Sequence, residues 1–114
     1  MPPYESGSLI LVNFPFTDLL SSKVRPSLVL ASQGDDVIIL GIFSKVPEVL
    51  QPSWVKIDQQ YPDFPQTGLR KTSIVKTEKI TVLHKSLVKK KIGRLPPAWL
   101  SLVRETLLQT LKLK

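Results

Sequence analysis

The sequence predicts a mainly β, barrel-like domain that is closed by a C-terminal α-helix. Short apolar segments separated by turn residues recur through most of the chain, and an apolar stripe with helical spacing follows at its end. Strands joined by such short turns favour an antiparallel meander over strand–helix–strand units. The chain has 114 residues, the length of one typical domain, so we expect residues 1–114 to form a single unit.

Six segments have the composition of β-strands, because they are rich in β-branched and aromatic residues and are bounded by turn residues. Pro15 follows the first segment, Pro26 opens the second, and Gly34 lies in the turn before the third. The predicted strands are residues 9–14, 27–31, 37–43, 54–57, 73–76 and 79–83. Four prolines lie between Pro47 and Pro65 inclusive, so we expect most of that stretch to be loop or sheet edge.

The C-terminal segment has the periodicity of a helix. Pro96 and Pro97 precede it, and proline is well tolerated at the first helical position. Apolar residues at steps of three or four form one face, and they are Leu100, Val103, Leu107 and Leu111. Other apolar residues lie partly off that stripe, namely Trp99, Leu102 and Leu108. We expect the stripe to cover the barrel and the off-stripe residues to be buried by a dimer partner.

The net charge of +7 is concentrated in one part of the chain. Residues 1–65 carry a net charge of −3, whereas residues 66–94 carry nine basic side chains and one acidic one, a net of +8. A concentrated basic segment is typical of proteins that bind a phosphate backbone. The alternative is an edge strand whose lysines prevent aggregation. For residues 89–91 a solvated turn is a further alternative to phosphate binding.

The composition excludes several kinds of site. The chain has no cysteine and a single histidine, which excludes disulfides, thiolate metal sites and centres with two histidines. His84 stands where a predicted strand ends, and we expect it to be exposed and inert. Asp35 and Asp36 adjoin Gly34, which favours a turn over a magnesium site, and no Gly-rich phosphate loop is present. We therefore expect no metal and no cofactor.

No apolar run reaches the length of about 20 residues that spans a bilayer. The first residues, Met-Pro-Pro-Tyr-Glu, lack the basic and apolar regions of a signal peptide. The absence of cysteine fits a reducing compartment. We expect a cytoplasmic protein that does not bind membranes.

Arg25 is the first candidate for chemistry. It directly precedes Pro26, where the chain re-enters the predicted sheet after residues 17–23. The residue before a proline is held in extended conformation, so the backbone fixes the direction in which the guanidinium points. Taken alone, such an arginine is more often a solvated surface residue than a functional one.

Several segments in a fixed order resemble the PemK/MazF family of toxins. The family's pattern has Gly-Asp-Ile-Val-x-Val-x-Phe-Pro-Phe, then Arg-Pro-x-Leu-Val-Leu, a hydroxyl residue after the third strand and a late Ile-Gly-x-Leu. The segments that carry the resemblance are Gly7-Ser-Leu-Ile-Leu-Val-Asn-Phe-Pro-Phe-Thr17, Arg25-Pro-Ser-Leu-Val-Leu30, Ile42-Phe-Ser44, Gly68-Leu69, Ser73-Ile-Val75 and Lys91-Ile-Gly-Arg-Leu95. The resemblance extends from about Gly7 to Leu111.

This resemblance implies a compact SH3-like barrel, the plasmid-maintenance-toxin fold, with a C-terminal α-helix. It also implies a homodimer that cleaves single-stranded RNA without a metal. A cognate antitoxin protein would neutralise it, and any contact with DNA would be made only through the antitoxin complex. The family's key arginine falls on Arg25 and its strand-end threonine on Ser44. Ser8 stands where the family often has aspartate, and Ser44 lacks the methyl group that restricts a threonine rotamer.

Metal-free RNA cleavage begins with attack of the 2′-hydroxyl on the adjacent phosphorus, which gives a 2′,3′-cyclic phosphate and a free 5′-hydroxyl. The reaction needs a proton acceptor, a proton donor and a group that stabilises charge on the non-bridging oxygens. The planar guanidinium of Arg25 suits the last task, and the Ser44 hydroxyl adds one hydrogen bond. The general base stays open between a carboxylate such as Asp18 and a water held by the arginine.

Residues that bind RNA are expected in two loops. The resemblance places the first, residues 17–24, beside the scissile phosphate, and the candidates there are Phe16, Thr17, Asp18 and Lys23. Aromatic side chains stack on unpaired bases. For both Phe14 and Phe16 the alternative to stacking on RNA is burial in the barrel core, and we expect burial for Phe14. The second loop precedes Ser73 and carries Arg70 and Lys71, whose charges are expected to project outward.

Two other functions stay open. A same-fold toxin that binds a protein such as DNA gyrase depends on a terminal helix with a Trp-Gly-Ile-like end, whereas this chain ends in Leu-Lys-Leu-Lys at Lys114. The second possible function is that of a catalytically silent homologue that only binds nucleic acid or an antitoxin. It stays open because Ser44 replaces the family's threonine.

Overall fold

A computed structural model describes residues 4–13 and 24–113 of the chain. The strands are β1 (Ser8–Asn13), β2 (Val24–Gln33), β3 (Asp36–Phe43), β4 (Trp54–Ile57), β5 (Ser73–His84) and β6 (Val88–Arg94), and the helix is α1 (Pro97–Thr110). Two short 3-10 turns, Phe64–Thr67 and Lys85–Leu87, precede β5 and β6 respectively. The mainly β fold with one C-terminal helix, predicted from the sequence, is confirmed.

The strands form one sheet in the order β4-β5-β3-β2-β1-β6, with antiparallel neighbours throughout. The chain that follows β4 packs back on β6, at the other edge. Contact there is so close that a Cβ atom on Gly68 would lie 2.1 Å from the carbonyl oxygen of Ile92. A Cβ atom on Gly93 would likewise lie 2.3 Å from the carbonyl oxygen of Gln66. This packing brings the two edges of the sheet together and gives the fold its barrel-like form.

The predicted strands 73–76 and 79–83 are one continuous strand, so their separation was wrong. The partners of β3 along β5 jump from Ile80, opposite Leu40, to Lys76, opposite Gly41. The extra residues form a bulge, which bends the strand. Within it the backbone N–H and the hydroxyl of Thr77 both donate to the carbonyl oxygen of Ser53, at 3.0 and 2.7 Å.

The alternative of a solvated turn for residues 89–91 was also wrong, because these lysines lie within β6. β6 is an edge strand that pairs with β1 alone, and its register contains two irregularities. A strand with three consecutive lysines is stable there because an edge position leaves charged side chains in water.

Apolar residues are buried on both faces of the sheet. In β1, Leu9 joins one core cluster, whereas Ile10 and Val12 join the other, as the two-residue alternation of a strand requires. The larger cluster includes Val103, the fully buried residue of α1. Burying a valine side chain contributes roughly 1.5–3 kcal/mol, so α1 is fixed on the sheet by apolar packing.

The helix begins at Pro97, as expected, and packs Leu100, Val103 and Leu107 on the core. The expectation for Leu111 was wrong: it follows the last helical residue, and 42% of its surface is exposed. Trp99 also differs from the prediction, because it packs on the core and lies against the Tyr61 ring at a centroid distance of 4.5 Å. The turn at Gly34 and the strand end at His84 are confirmed.

No helix in residues 4–13 and 24–113 combines the length and the apolar character that a membrane crossing needs.

Candidate functional site

A cleft of about 600 Å³ lies where the ends of β2 and β3 meet β6 and the segment that precedes β5. Four residues predicted for the site come together there, although they are far apart in the chain. They are Arg25, Ser44, Arg70 and Lys71. Their apolar surroundings are Leu11 of β1, Ile42 of β3 and Ile92 of β6.

Arg25 reaches the cleft from the start of β2. It pairs with Val12 of β1 and precedes Pro26, which also lines the cleft. The arginine is half-buried, and its guanidinium carbon lies 5.8 Å from the centre of the Phe43 ring. The extended backbone before proline and this aromatic contact together restrict where the guanidinium points.

Ser44 directly follows the last residue of β3 and is exposed at the cleft. The preceding residues alternate, so that Ile42 is buried and Phe43 is half-buried on the other side of the strand. A hydroxyl at this position is accessible to a ligand in the cleft and can donate one hydrogen bond to an anionic oxygen.

Arg70 and Lys71 are positioned by a bent segment between Gly68 and Ser73. Gly68 has a φ of 75°, a left-handed conformation that other residues adopt at a cost. The hydroxyl of Thr67 accepts a hydrogen bond from the N–H of Leu69 at 3.1 Å. The hydroxyl of Ser73 donates to the carbonyl oxygen of Lys71 at 2.9 Å. The segment therefore holds two exposed cations at the mouth of the cleft.

Two polar side chains that line the cleft were not among the predicted site residues. Ser73 is buried at the start of β5, and Lys90 is exposed in the middle of β6. The signal for Lys90 was its two-residue spacing from Ile92, which also lines the cleft, because residues two apart share one face of a strand. Lys90 was not among the predicted site residues because a solvated turn was left open for residues 89–91.

The cleft is strongly cationic. Arg25, Arg70, Lys71 and Lys90 line it, and no acidic residue does so in the part of the chain that the structure describes. Guanidinium and ammonium groups bind phosphate oxygens through charge-assisted hydrogen bonds. The geometry therefore suits an anionic ligand with several phosphate groups.

The other predicted site residues, Phe16, Thr17, Asp18 and Lys23, lie outside the described residues. Phe14 does so as well, so its expected place in the core stays a prediction.

His84 and Asp35, for which the sequence predicted no catalytic or metal-binding role, lie away from the cleft. His84 is exposed, and its Nδ1 accepts a hydrogen bond from the N–H of Ser86 at 3.1 Å. Asp35 forms a salt bridge with Lys85 at 3.0 Å. The hydrogen bond and the charge of Lys85 hold the pKa of the Asp35 carboxyl below its ordinary value. Among residues 4–13 and 24–113, no three histidine or acidic side chains are arranged to hold a metal ion.

Known proteins resemble this chain in sequence pattern and in fold. The family model for PemK-like, MazF-like toxins of type II toxin–antitoxin systems matches residues 5–111. A search of curated protein sequences gives no match.

Among solved structures, an endoribonuclease from a mycobacterial species, in complex with its cognate antitoxin, is 19% identical. The match has a TM-score of 0.72 and covers 98% of this chain and 97% of that one. The toxin MazF-mt6 of Mycobacterium tuberculosis is 17% identical, with a TM-score of 0.72 and coverage of 94% and 98% respectively. A MazE–MazF structure from Deinococcus radiodurans gives 18% identity, a TM-score of 0.70 and coverage of 95% and 94%.

The family model spans nearly the whole chain, and the fold agrees with solved toxins over almost their full length. The chain belongs to the PemK-like, MazF-like family of toxins of type II toxin–antitoxin systems.

Proposed function

We propose that this toxin is a metal-independent endoribonuclease that cleaves single-stranded RNA. The observation that carries the proposal is the meeting of Arg25 and Ser44 in one cleft, beside the cations Arg70, Lys71 and Lys90. RNA presents one phosphate per nucleotide, and a cleft with several cations can hold the scissile phosphate and its neighbours together.

In the proposed reaction the 2′-oxygen attacks the adjacent phosphorus, and the bond from phosphorus to the 5′-oxygen breaks. The products are a 2′,3′-cyclic phosphate and a 5′-hydroxyl. Negative charge grows on the non-bridging oxygens, where the guanidinium of Arg25 and the hydroxyl of Ser44 donate hydrogen bonds. The proton of the 2′-hydroxyl passes to Asp18 or to a water held by Arg25, and the leaving 5′-oxygen gains a proton.

The remaining cations would bind the rest of the RNA strand. Arg70, Lys71 and Lys90 are exposed, so their charges are free to contact phosphates on either side of the scissile one. The predicted loop residues Phe16, Thr17, Asp18 and Lys23 would complete the binding surface, with Phe16 stacking on a base.

We also propose a homodimer. Leu102 on α1 is 50% exposed, and Val82 on β5, a strand that α1 contacts, is 55% exposed. Large apolar side chains exposed in this way are commonly covered by a second copy in symmetric dimers. Solved relatives are bound to a cognate antitoxin or to MazE. For this toxin we likewise propose an antitoxin partner, DNA contact only through that complex, and action on RNA in the cytoplasm.

The test is incubation of the purified protein with end-labelled single-stranded RNA in the presence of EDTA. We expect cleavage products that carry a 2′,3′-cyclic phosphate, identified by mass spectrometry. Arg25→Ala should lower the rate at least about 100-fold, the loss typical of removing one donor to a developing oxyanion. The control is Arg104→Ala, because Arg104 is exposed on α1 and does not line the cleft.

Intact RNA after incubation with wild-type protein would refute the activity. It would favour the catalytically silent homologue, or the toxin that acts on a protein such as DNA gyrase. A folded Arg25→Ala protein that cleaves as fast as the wild type would remove Arg25 from the site.

A further inference from the structure

A row of aromatic and basic side chains runs from the cleft across the neighbouring strands. The Nζ atom of Lys76, on β5, lies 4.4 Å from the centre of the Phe43 ring and 4.5 Å from that of Trp54. Trp54 stands directly opposite Lys76 on β4. At its other end the row reaches Arg25, whose guanidinium carbon lies 5.8 Å from the same Phe43 ring. Arg25 therefore belongs both to the cleft and to this row, which we call the Trp54 row.

Hydrogen bonds hold the far end of the row in place. The indole N–H of Trp54 donates to one carboxylate oxygen of Glu78 at 2.9 Å, and the Ser53 hydroxyl donates to the other at 2.8 Å. Burial raises the pKa of the Glu78 carboxyl. The hydrogen bonds from Trp54, the backbone and Ser53, together with the charge of Lys76, outweigh this effect, so the pKa of Glu78 lies below its ordinary value. Glu78 is thus ionised at neutral pH, and the indole ring has a fixed orientation.

The ammonium group of Lys76 is available to an anion. Lys76 forms no salt bridge with an acidic residue in the part of the chain that the structure describes. Its cation–π contacts orient the ammonium without neutralising its charge. Two further lysines are exposed close to the row in sequence, Lys45 two residues after Phe43 and Lys56 two residues after Trp54. The positive surface therefore continues beyond the cleft.

The dimensions of the row suit a nucleic-acid strand. Trp54 and Arg25 stand on β4 and β2, three strand spacings apart, which corresponds to about 14 Å. This distance is longer than one nucleotide, so a strand whose scissile phosphate lies at Arg25 can reach Trp54 only with its flanking nucleotides. Aromatic rings and cations on a sheet surface are the features that bind unpaired bases and their phosphates.

We propose that the Trp54 row is a subsite for the nucleotides that flank the scissile phosphate, with Lys76 binding a phosphate and Trp54 stacking on a base. The proposal rests on the proposed endoribonuclease function and extends the substrate from the cleaved dinucleotide to a longer single strand. Short oligonucleotides would occupy the cleft alone, whereas longer ones would also engage the row.

The test compares binding of random-sequence RNA of four and ten nucleotides, in which 2′-fluoro replaces every 2′-hydroxyl so that no nucleophile is present. Lys76→Met keeps the apolar stem of the side chain and removes its charge. We expect it to weaken binding of the ten-nucleotide RNA about ten-fold and to leave binding of the four-nucleotide RNA within two-fold. The dependence of log affinity on log salt should become shallower by about 0.7 for the longer RNA. The matched control is Lys89→Met, the same change of charge at an exposed lysine outside both the cleft and the row.

A second measurement requires no substitution within the Trp54 row. The only other tryptophan, Trp99, is replaced by phenylalanine, so that fluorescence reports on Trp54 alone. The ten-nucleotide RNA should quench this fluorescence, and the four-nucleotide RNA should not.

Equal effects of Lys76→Met on both RNA lengths, or no effect on either, would overturn the subsite while leaving RNA binding by the cleft intact. Unchanged Trp54 fluorescence with saturating ten-nucleotide RNA would overturn it as well. If the wild-type protein binds neither RNA, the proposed function fails and the subsite fails with it.

Discussion

Replacing Gly68 with alanine should destabilise the fold and loosen the cleft. Its φ of +75° lies in the left-handed region, where a Cβ atom costs roughly 1–2 kcal/mol. That Cβ atom would also lie 2.1 Å from the Ile92 carbonyl oxygen and 2.7 Å from its carbonyl carbon. Because these are backbone atoms, the strand itself must move, and overpacking of this kind typically costs about 1–3 kcal/mol. The expected total is about 2–5 kcal/mol.

Two other glycines separate the two contributions. Gly34 has a φ of +59° and no atom within 4 Å of an added Cβ, so Gly34→Ala should cost only the conformational part, about 1–2 kcal/mol. Gly93 lacks a positive φ, but its Cβ would lie 2.3 Å from the Gln66 carbonyl oxygen. Gly93→Ala should therefore cost the packing part alone, about 1–3 kcal/mol.

The assay is urea unfolding of the three variants and the wild type at one fixed protein concentration, because the stability of the proposed dimer would depend on concentration. In thermal unfolding of the same proteins, a loss of 1 kcal/mol corresponds to about 4 °C in Tm, so Gly68→Ala should melt about 8–20 °C below the wild type. Affinity for RNA should fall in the same variant, since Arg70 and Lys71 follow this glycine. A Gly68→Ala protein no less stable than Gly34→Ala would refute the reasoning that the contact with β6 fixes this segment.

Four further outcomes are expected. Ser44→Ala should lower the RNA cleavage rate, because one hydrogen bond to the phosphate is lost, and Ser44→Thr should preserve or raise it; equal rates in all three proteins would exclude this hydroxyl from the reaction. Reversing the charges of Arg70 and Lys71 together should weaken RNA binding and flatten its salt dependence, whereas an unchanged slope would mean that these cations face away from the RNA. Leu102→Asp should give a folded monomer with little activity by light scattering and cleavage assay; a wild-type protein that is monomeric at high concentration yet active would contradict this. Because the pKa of Glu78 is lowered in the folded protein, its ionised carboxylate stabilises the fold at pH values above about 4.3, the ordinary pKa of glutamate. This stabilisation is lost as the pH falls through the lowered pKa. Glu78→Gln should therefore flatten the fall in stability between about pH 5 and pH 3, as measured by urea unfolding, and a parallel fall in both proteins would exclude that role.

Local sequence signals predicted most of the elements, because alternation and turn residues act over a few positions. β3 and β4 agree with the predicted residues 37–43 and 54–57 to within one residue. The bulge of β5 could not be predicted in this way, since it depends on the carbonyl oxygen of Ser53, which is 24 residues from Thr77. β6 was missed because it contains three consecutive lysines and because its apolar residues, Val88 and Ile92, pack on different core clusters formed by strands distant in the chain.

Some residues of the candidate site could likewise be predicted from the sequence, and others could not. Arg25 and Ser44 came from the family resemblance, and the local rule for a residue before proline explains why Arg25 points in a fixed direction. Lys90 and the contact of Arg25 with Phe43 depend on which strands become neighbours. That information is spread over the whole chain and is not visible in any single segment.

The contact of β6 with the Gly68 segment also determines when the cleft can form during synthesis. β1 lies between β2 and β6 in the sheet, so a nascent chain that ends before β6 has an unpaired edge on β1. Such a chain also lacks Lys90 and the backbone of Ile92, against which Gly68 packs. A nascent polypeptide therefore lacks a complete cleft until β6 has emerged from the ribosome. The RNA binding proposed for the cleft can therefore begin only after β6 has paired with β1.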